Sequence, residues 1–369
     1  MMERQTVTVS SLAIAFALFE VGSTTLFLIG AEANQDAWIA MSLAAAIGFV
    51  LLMLYMAIYR ADPHRDLFAL CRFYLGRWLG NAFGFSFAAY FAYEASRNLR
   101  DLAELTMLIL LNRTPLFVLL TITVLVVANT ARYGAKVLFY TCLVLLPMMA
   151  VSYLFLNIMF VSMNLIRFQN MLPVLENGWG PIWQAAVPRI VSFPFGQSVL
   201  FLVFFPLAKA SFSRLRSAVY VSYAVIAVVL IFLNQVNILV LGTGIAKNSM
   251  VPLLESVQLI EFANVFERMD IFFVLVLFLG LGIKMAAFLI GATTGLHKVT
   301  GIGYKKCVPL IGGAVYALSF SSPNYVHHIW LGKVVTYWDP LFQIALPAIL
   351  LIVIWARHSK KASVLKKSE

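Results

Sequence analysis

The chain has 369 residues, 62% of them hydrophobic and 12% charged, with a mean hydropathy of +0.90. No water-soluble domain carries that balance, so a soluble enzyme or a DNA-binding domain is excluded. The formal charge of +11 then calls for a topological explanation rather than a nucleic-acid partner.

A hydrocarbon core of ~30 Å takes about 20 apolar residues per helix. Ten stretches read as spans, near 10–31, 37–59, 81–110, 115–130, 137–160, 184–208, 217–241, 270–295, 307–322 and 338–356. The third is too long for one straight crossing and the ninth is short, so both are expected to tilt or to sit off-centre. All-α membrane architecture in one domain over residues 1–369 follows, with 357–369 as a basic tail. The first span has no small-residue cleavage site and reads as an uncleaved anchor. The longest hydrophilic stretches are a loop at 60–80, the outer segments 161–183 and 242–269, and the tail.

Charge fixes the orientation. Arg4, Arg60, Arg65, Arg72, Arg77, Arg132, Lys136, Lys209, Arg214, Arg216, Lys298, Lys305, Lys306 and the basic tail all fall on the N-terminal side. Only Arg113, Arg167, Lys247, Arg268 and Lys333 fall opposite. The positive-inside rule places both termini in the cytoplasm. Trp179, Trp183, Trp330, Trp338 and Trp355 lie near span ends, as an interfacial belt requires. Cys71, Cys142 and Cys307 form no disulfide framework, and Asn112-Arg113-Thr114 is a bare sequon match.

Taken in chain order, the first span is interrupted. Residues 11–31 read SLAIAFALFEVGSTTLFLIGA, with Glu20 at mid-depth and Gly22-Ser23-Thr24-Thr25 directly after it. A charge at that depth costs roughly 2.5–3.5 kcal/mol on insertion scales, and glycine weakens a helix. Unwound backbone persists inside a bilayer where it lines a polar cavity. The third span carries Tyr90, Glu94, Arg97, Asp101 and Glu104 in steps of four and three, which is one helical face. Arg97 can pair with Glu94 and Asp101, and Arg100 with Glu104. The stripe is either a water-lined path or the packed outer half of a tilted helix; Tyr90, Tyr93 and Glu94 lie deepest. The sixth span is interrupted at Pro194-Phe195-Gly196 and also holds Pro188 and Pro206. Spans one and six are equivalent if the chain is five plus five, and interrupted helices in matching positions point to a binding site. That reading rests on hydropathy and helix breakers, without a residue-level repeat. Arg189 at the outer end of the sixth span is expected to snorkel.

Pro252 opens a helix expected to run to about Phe262, either a lid over the site or an ordinary interfacial helix. Lys284 stands alone in LGLGIKMAAFLIG, deep in the eighth span. It either bridges structurally to Glu20 or occupies the place of a coupling cation between spans one and eight. His327-His328 has no cysteine or carboxylate cluster beside it, so no metal is expected. Walker A, HExxH and G-x-S-x-G sequences are missing, and GTGIAKNS at 242–249 lacks phosphate-loop spacing. No enzyme activity or cofactor is expected.

Four segments in order carry a resemblance. Gln35-Asp36-Ala37-Trp38-Ile39 follows the first span and Leu75-Gly76-Arg77-Trp78-Leu79-Gly80 precedes the third. Phe193-Pro194-Phe195-Gly196-Gln197 makes the sixth-span break. Pro252-Leu253-Leu254-Glu255 with Phe266-Glu267-Arg268-Met269-Asp270 leads into the eighth. Together they resemble the B subunit of spore germinant receptors, the endospore germination permeases, a family similar to the amino acid–polyamine–organocation transporters. The chain departs from that pattern at Gln197, where the family often has an acid, at Gly134-Ala135-Lys136, which lacks the family's Glu, and at Glu20.

The resemblance implies a five-plus-five inverted-repeat fold with discontinuous helices 1 and 6, in the spore inner membrane. It also implies an A subunit and a lipoprotein C subunit as partners, and a nutrient such as an amino acid as ligand. The ligand carboxylate would meet backbone N–H groups near Gly22, Ser23 and Thr24. Phe193, Phe195, Gly196 and Tyr90 or Tyr93 would wall its side chain, and Lys284, Glu20 and Glu94 would serve as coupling groups. The alternatives are a proton-coupled amino acid transporter using the same site and a scaffold without a ligand of its own.

Overall fold

The computed structural model describes residues 6–260 and 270–365. Arg4, residues 266–269 of the outer-loop motif and residues 366–367 of the tail therefore lie outside the described residues. Thirteen α-helices are described, and the only β pairing among the described residues is an isolated bridge of Val7 with Ala208.

Helix α1 (Val9–Val21) starts where the Thr8 side chain accepts the Ser11 N–H at 3.1 Å, and it stops at Gly22. There the backbone turns to φ 17°, ψ −112°, and a single 3₁₀ turn, Thr24–Leu26, follows. Helix α2 (Ala37–Ala61) returns across the membrane. The stretch expected as a loop at 60–80 is instead largely helical. Asp66 caps α3 (Leu67–Leu75) by accepting the Ala69 N–H at 2.9 Å, and α3 packs on α4 (Arg77–Ile109). Leu67, Phe68, Leu70, Cys71 and Tyr74 recur at helical spacing and give α3 one buried face, with Arg72 and Phe73 left exposed on the other.

Helices α5 (Leu116–Tyr133) and α6 (Ala135–Ser162) form a hairpin through Gly134. The sixth span enters as α7 (Trp179–Ala185), continues through a wider turn to Ile190, breaks at Phe193-Pro194, and resumes as 3₁₀ turns over Phe195–Val203. Helix α8 (Phe212–Asn248) is longer than the 217–241 expected, with a break at Gly242. Helices α9 (Pro252–Gln258), α10 (Asp270–Thr300), α11 (Tyr304–Leu318), α12 (Tyr325–Val335) and α13 (Leu346–Leu365) complete the chain, so the first part of the basic tail continues a helix.

Eight segments among the described residues are long and apolar enough to cross a membrane. α4 and α11 correspond to the other two of the ten expected spans but are not among the eight: α4 is not apolar enough over any such length, and α11 has only 15 residues. Burial separates centre from rim. The segments Val9–Leu26, Trp179–Val203 and Ile271–Thr300 are 72%, 78% and 72% buried, against 28%, 22% and 28% for Leu116–Tyr133, Ala135–Ser162 and Leu341–His358. The two interrupted helices and α10 thus form the centre.

Below the breaks, on the side of the N-terminus, aromatic rings fill that centre. Phe201 stands edge-on to Phe16 at 4.8 Å and to Phe19 at 5.4 Å, Phe19 meets Phe288 at 5.1 Å, and Phe139 meets Phe204 at 5.3 Å. These are favourable ring geometries, and every ring in the group is buried. The Val7 N–H donates to the Leu207 carbonyl at 3.0 Å, tying the start of the chain to the end of the sixth span. All three cysteines are free and buried.

Candidate functional site

A cavity of about 220 Å³ lies above the aromatic plug, at the level of both breaks and open on the side away from the N-terminus. Ser23 from the first break and Phe193 and Gln197 from the second form its base. Glu94, Arg97, Asn98 and Asp101 of α4 form one wall. Leu28, Ile29 and Gly30 face them, and Glu32, Arg189, Lys333, Thr336 and Asp339 form the rim. One aromatic ring and two neutral polar side chains at the base, with both charge signs arranged above them, suit a small zwitterion.

The base is built by close approach. A Cβ on Gly22 would lie 2.6 Å from the Lys284 Cδ and 2.7 Å from the Phe19 carbonyl oxygen. A Cβ on Gly280 would collide with the Gly22 carbonyl. The unwound strand of span one therefore lies directly on α10, and only glycine fits at either contact. Lys284 is fully buried there. Its Nζ sits 4.5 Å from the Phe193 ring centre and 5.4 Å from that of Phe19, with no hydrogen-bond partner. Glu20 is equally buried and both its carboxylate oxygens are also unpartnered. Of the two readings of Lys284, the direct bridge to Glu20 is not formed: the lysine stem packs on Gly22 and its ammonium lies over Phe193 and Phe19 without reaching the carboxylate.

The second break is held by amides. Gln197 Nε2 donates to Glu94 Oε2 at 2.6 Å, joining the sixth span to α4. Gln343 Nε2 donates to the Tyr90 hydroxyl at 2.8 Å and to the Ser192 carbonyl at 3.1 Å, while the Tyr55 hydroxyl donates to the Gln343 carbonyl at 2.7 Å. A Cβ on Gly196 would run into the Gln343 amide, so this glycine is needed for packing. Thr24 turns its hydroxyl back to the Glu20 carbonyl at 2.6 Å.

Of the residues singled out in the sequence, Ser23, Phe193 and Glu94 line the cavity together. Gly22 and Lys284 lie just beneath it, Thr24 is turned into the helix end, and Tyr90 and Gly196 stand behind its wall in the Gln343 network. Phe195 is wholly buried against Tyr223 and α2, and Tyr93 is half-buried outside the lining. Arg189 does not snorkel freely: it pairs with Glu32 and lies over the Tyr337 ring at 5.8 Å, forming part of the rim.

On α4, Arg100 pairs with Glu104 at 2.6 Å and donates to the Ser319 carbonyl at 3.0 Å. Arg97 reaches the His328 carbonyl at 2.8 Å instead of an acid of its own helix, and Asp101 lies 3.2 Å from His328 Nε2. No group of metal-ligating side chains occurs among the described residues. Helix α9 lies on α8 and the Thr24–Leu26 turn and contributes nothing to the cavity lining, so it is not a lid in this structure.

Gln343 and Asp339 escaped the sequence reading, and His328, weighed there only as a metal ligand, was not linked to Arg97 and Asp101. Each lies near a span end, where polar residues are ordinary and give no signal.

The family model described as spore germination protein matches residues 6–325. The chain belongs to the spore germination protein family. Spore germination protein KB of Bacillus subtilis (strain 168) is 28% identical, covering 98% of each chain. Spore germination protein A2 of the same organism is 26% identical, covering 78% of this chain and 77% of that one. Among solved structures, the inward-facing conformation of Mhp1 superposes with a TM-score of 0.58 at 14% identity, covering 93% of this chain and 75% of that one. The fold is thus the five-plus-five transporter fold with discontinuous helices 1 and 6, as the sequence led us to expect, in a multi-pass spore germination permease.

Proposed function

We propose that the chain is the nutrient-sensing subunit of a spore germinant receptor and that an amino acid binds in the cavity between the two breaks. The observation that carries this reading is the joining of Ser23, Phe193 and Gln197 at one cavity base beneath Glu94 and Arg97. The ligand carboxylate would meet the backbone of Gly22, Ser23 and Thr24, with Arg97 above it. Its ammonium group would face Glu94 and Asp339, and Phe193 would contact its side chain. Phe193 touches both the cavity and Lys284, so a ligand that shifts this ring alters the environment of the lysine. Binding then favours one packing of spans one, six and eight, and partner subunits read that change. The A subunit and the lipoprotein C subunit are the partners in this reading, in the spore inner membrane with both termini cytoplasmic.

The test is nutrient dose dependence in spores carrying Phe193→Ala or Ser23→Ala at normal receptor abundance. We expect the half-effective concentration to rise about tenfold or more, equivalent to about 1.4 kcal/mol of lost binding. An unchanged dose curve in both variants would leave the chain as a scaffold. The second reading, a proton-coupled amino acid transporter, is favoured by the unpartnered Glu20 and Lys284 between the central helices. Concentrative, proton-driven uptake by this chain alone in proteoliposomes would select it.

A further inference from the structure

A second cavity, of about 870 Å³, lies far from the first, as a groove between α5 and α11. Its walls are Val124, Leu125 and Val308, and its floor is Gly312 and Gly313 opposite Ala128. The two helices are joined at both ends of the groove. The Tyr304 hydroxyl donates to the Ala131 carbonyl at 2.9 Å at one end, and the Thr121 hydroxyl to the Tyr316 hydroxyl at 3.3 Å at the other. Polarity is confined to the ends. Arg132 and Lys305 stand together at the Tyr304 end, both exposed, and neither has a carboxylate within ion-pair distance among the described residues. Asn129, one helical turn deeper, is also exposed to the groove.

From Thr121 to Arg132 the groove runs 11 residues, about 16 Å of helix. That is half of a ~30 Å hydrocarbon core, the depth of one leaflet. An apolar slot one leaflet deep, with two unpaired cations at its headgroup end and an amide at ester depth, has the chemistry of an anionic phospholipid. A partner's spanning helix would run through both leaflets and would gain nothing from cations at one end alone. We propose that the α5–α11 groove is a specific site for an anionic phospholipid. One acyl chain lies over Gly312 and Gly313, the phosphate lies between Arg132 and Lys305, and Asn129 donates to an ester carbonyl. By the distribution of positive charge this is the cytoplasmic leaflet. A lipid seated there braces α5 against α11 between the two hydrogen-bonded ends of the groove.

The test uses the full chain in detergent with phosphatidylglycerol and phosphatidylethanolamine of matched acyl chains, read by native mass spectrometry. Wild type should retain phosphatidylglycerol with a preference on the order of tenfold, from the two basic residues. Arg132→Gln with Lys305→Gln should abolish that preference, and Arg132→Lys with Lys305→Arg should keep it. A Cβ at Gly313 meets nothing within 4 Å, so Gly313→Leu fills the slot without disturbing the helices. It should reduce retention of both lipids severalfold at an unchanged melting temperature. Equal retention of the two lipids by wild type would overturn the proposal, as would an unchanged preference in the Gln variant. A photoreactive residue at position 313 that captures a protein instead of lipid in native membranes would also overturn it, in favour of a helix.

Discussion

Lys284 and Glu20 show how much one residue can disclose in a membrane chain. Each is a charge in an apolar run, and a bilayer tolerates such a charge only for a reason. The fold buries both completely and gives neither a hydrogen bond. Lys284 is instead covered by the faces of Phe193 and Phe19, where ring quadrupoles partly replace water. With opposite signs in one dry core, the two charges should still stabilise each other at a distance. Lys284→Met should therefore lower the melting temperature of the purified protein, because Glu20 loses its nearest compensating charge. Adding Glu20→Gln should recover most of the loss, giving a coupling energy of about 1–3 kcal/mol in a double-mutant cycle. Simple additivity of the two single variants would mean that the charges act independently. The same two residues were legible in the sequence because hydropathy makes them conspicuous. Gln343, which holds Tyr90 and Ser192 in place, was not, since a glutamine five residues into a span breaks no rule.

At the scale of elements, both helix breaks were readable from Gly22 and from Pro194-Phe195-Gly196, but the directions of their side chains were not. Phe193 and Phe195 sit two positions apart, and residues so spaced do not share a face of a helical turn. Phe193 accordingly lines the cavity while Phe195 packs on Tyr223. Which of the two faced inward depended on where the 3₁₀ turns began, a matter of tertiary packing. The α1–α10 contact is equally invisible in either helix alone, because it pairs Gly22 with Gly280 across the bundle. It gives a sharp comparison within one helix. Gly280→Ala must push a Cβ against the Gly22 backbone, which cannot rotate away, and should cost about 1–3 kcal/mol. Gly282→Ala, two residues on, meets nothing within 4 Å and should be neutral or stabilising by up to about 1 kcal/mol from helix propensity. Thermal melting of the two variants in detergent checks this; equal melting temperatures would remove the close contact from the account of the break.

The whole molecule is asymmetric across the membrane. On one side the cavity rises past Phe193 and Asp339 to a rim of Glu32, Arg189 and Lys333, whose charges are exposed or half-exposed. On the other, the rings of Phe16, Phe19, Phe139, Phe201 and Phe204 are all buried, and the Val7–Leu207 hydrogen bond closes the end of the bundle. Five helices of each half must come together before this difference exists, so no stretch of sequence could announce it. In the proposed sensing role, this state samples nutrient from the side opposite the N-terminus, the side that the positive-inside rule leads us to expect as the outer one. In a background with Cys71, Cys142 and Cys307 replaced, Thr336→Cys at the rim should react with a membrane-impermeant thiol reagent applied to the outer face. Phe201→Cys in the plug should react from neither face, at least a hundredfold more slowly than an exposed thiol, since a closed plug admits the reagent only through rare opening. An effective amino acid should slow labelling at Thr336→Cys by occupying the cavity below it. Rapid labelling of Phe201→Cys from the inner face without ligand would mean that the resting receptor opens inward, and the direction of nutrient access would then have to be reversed.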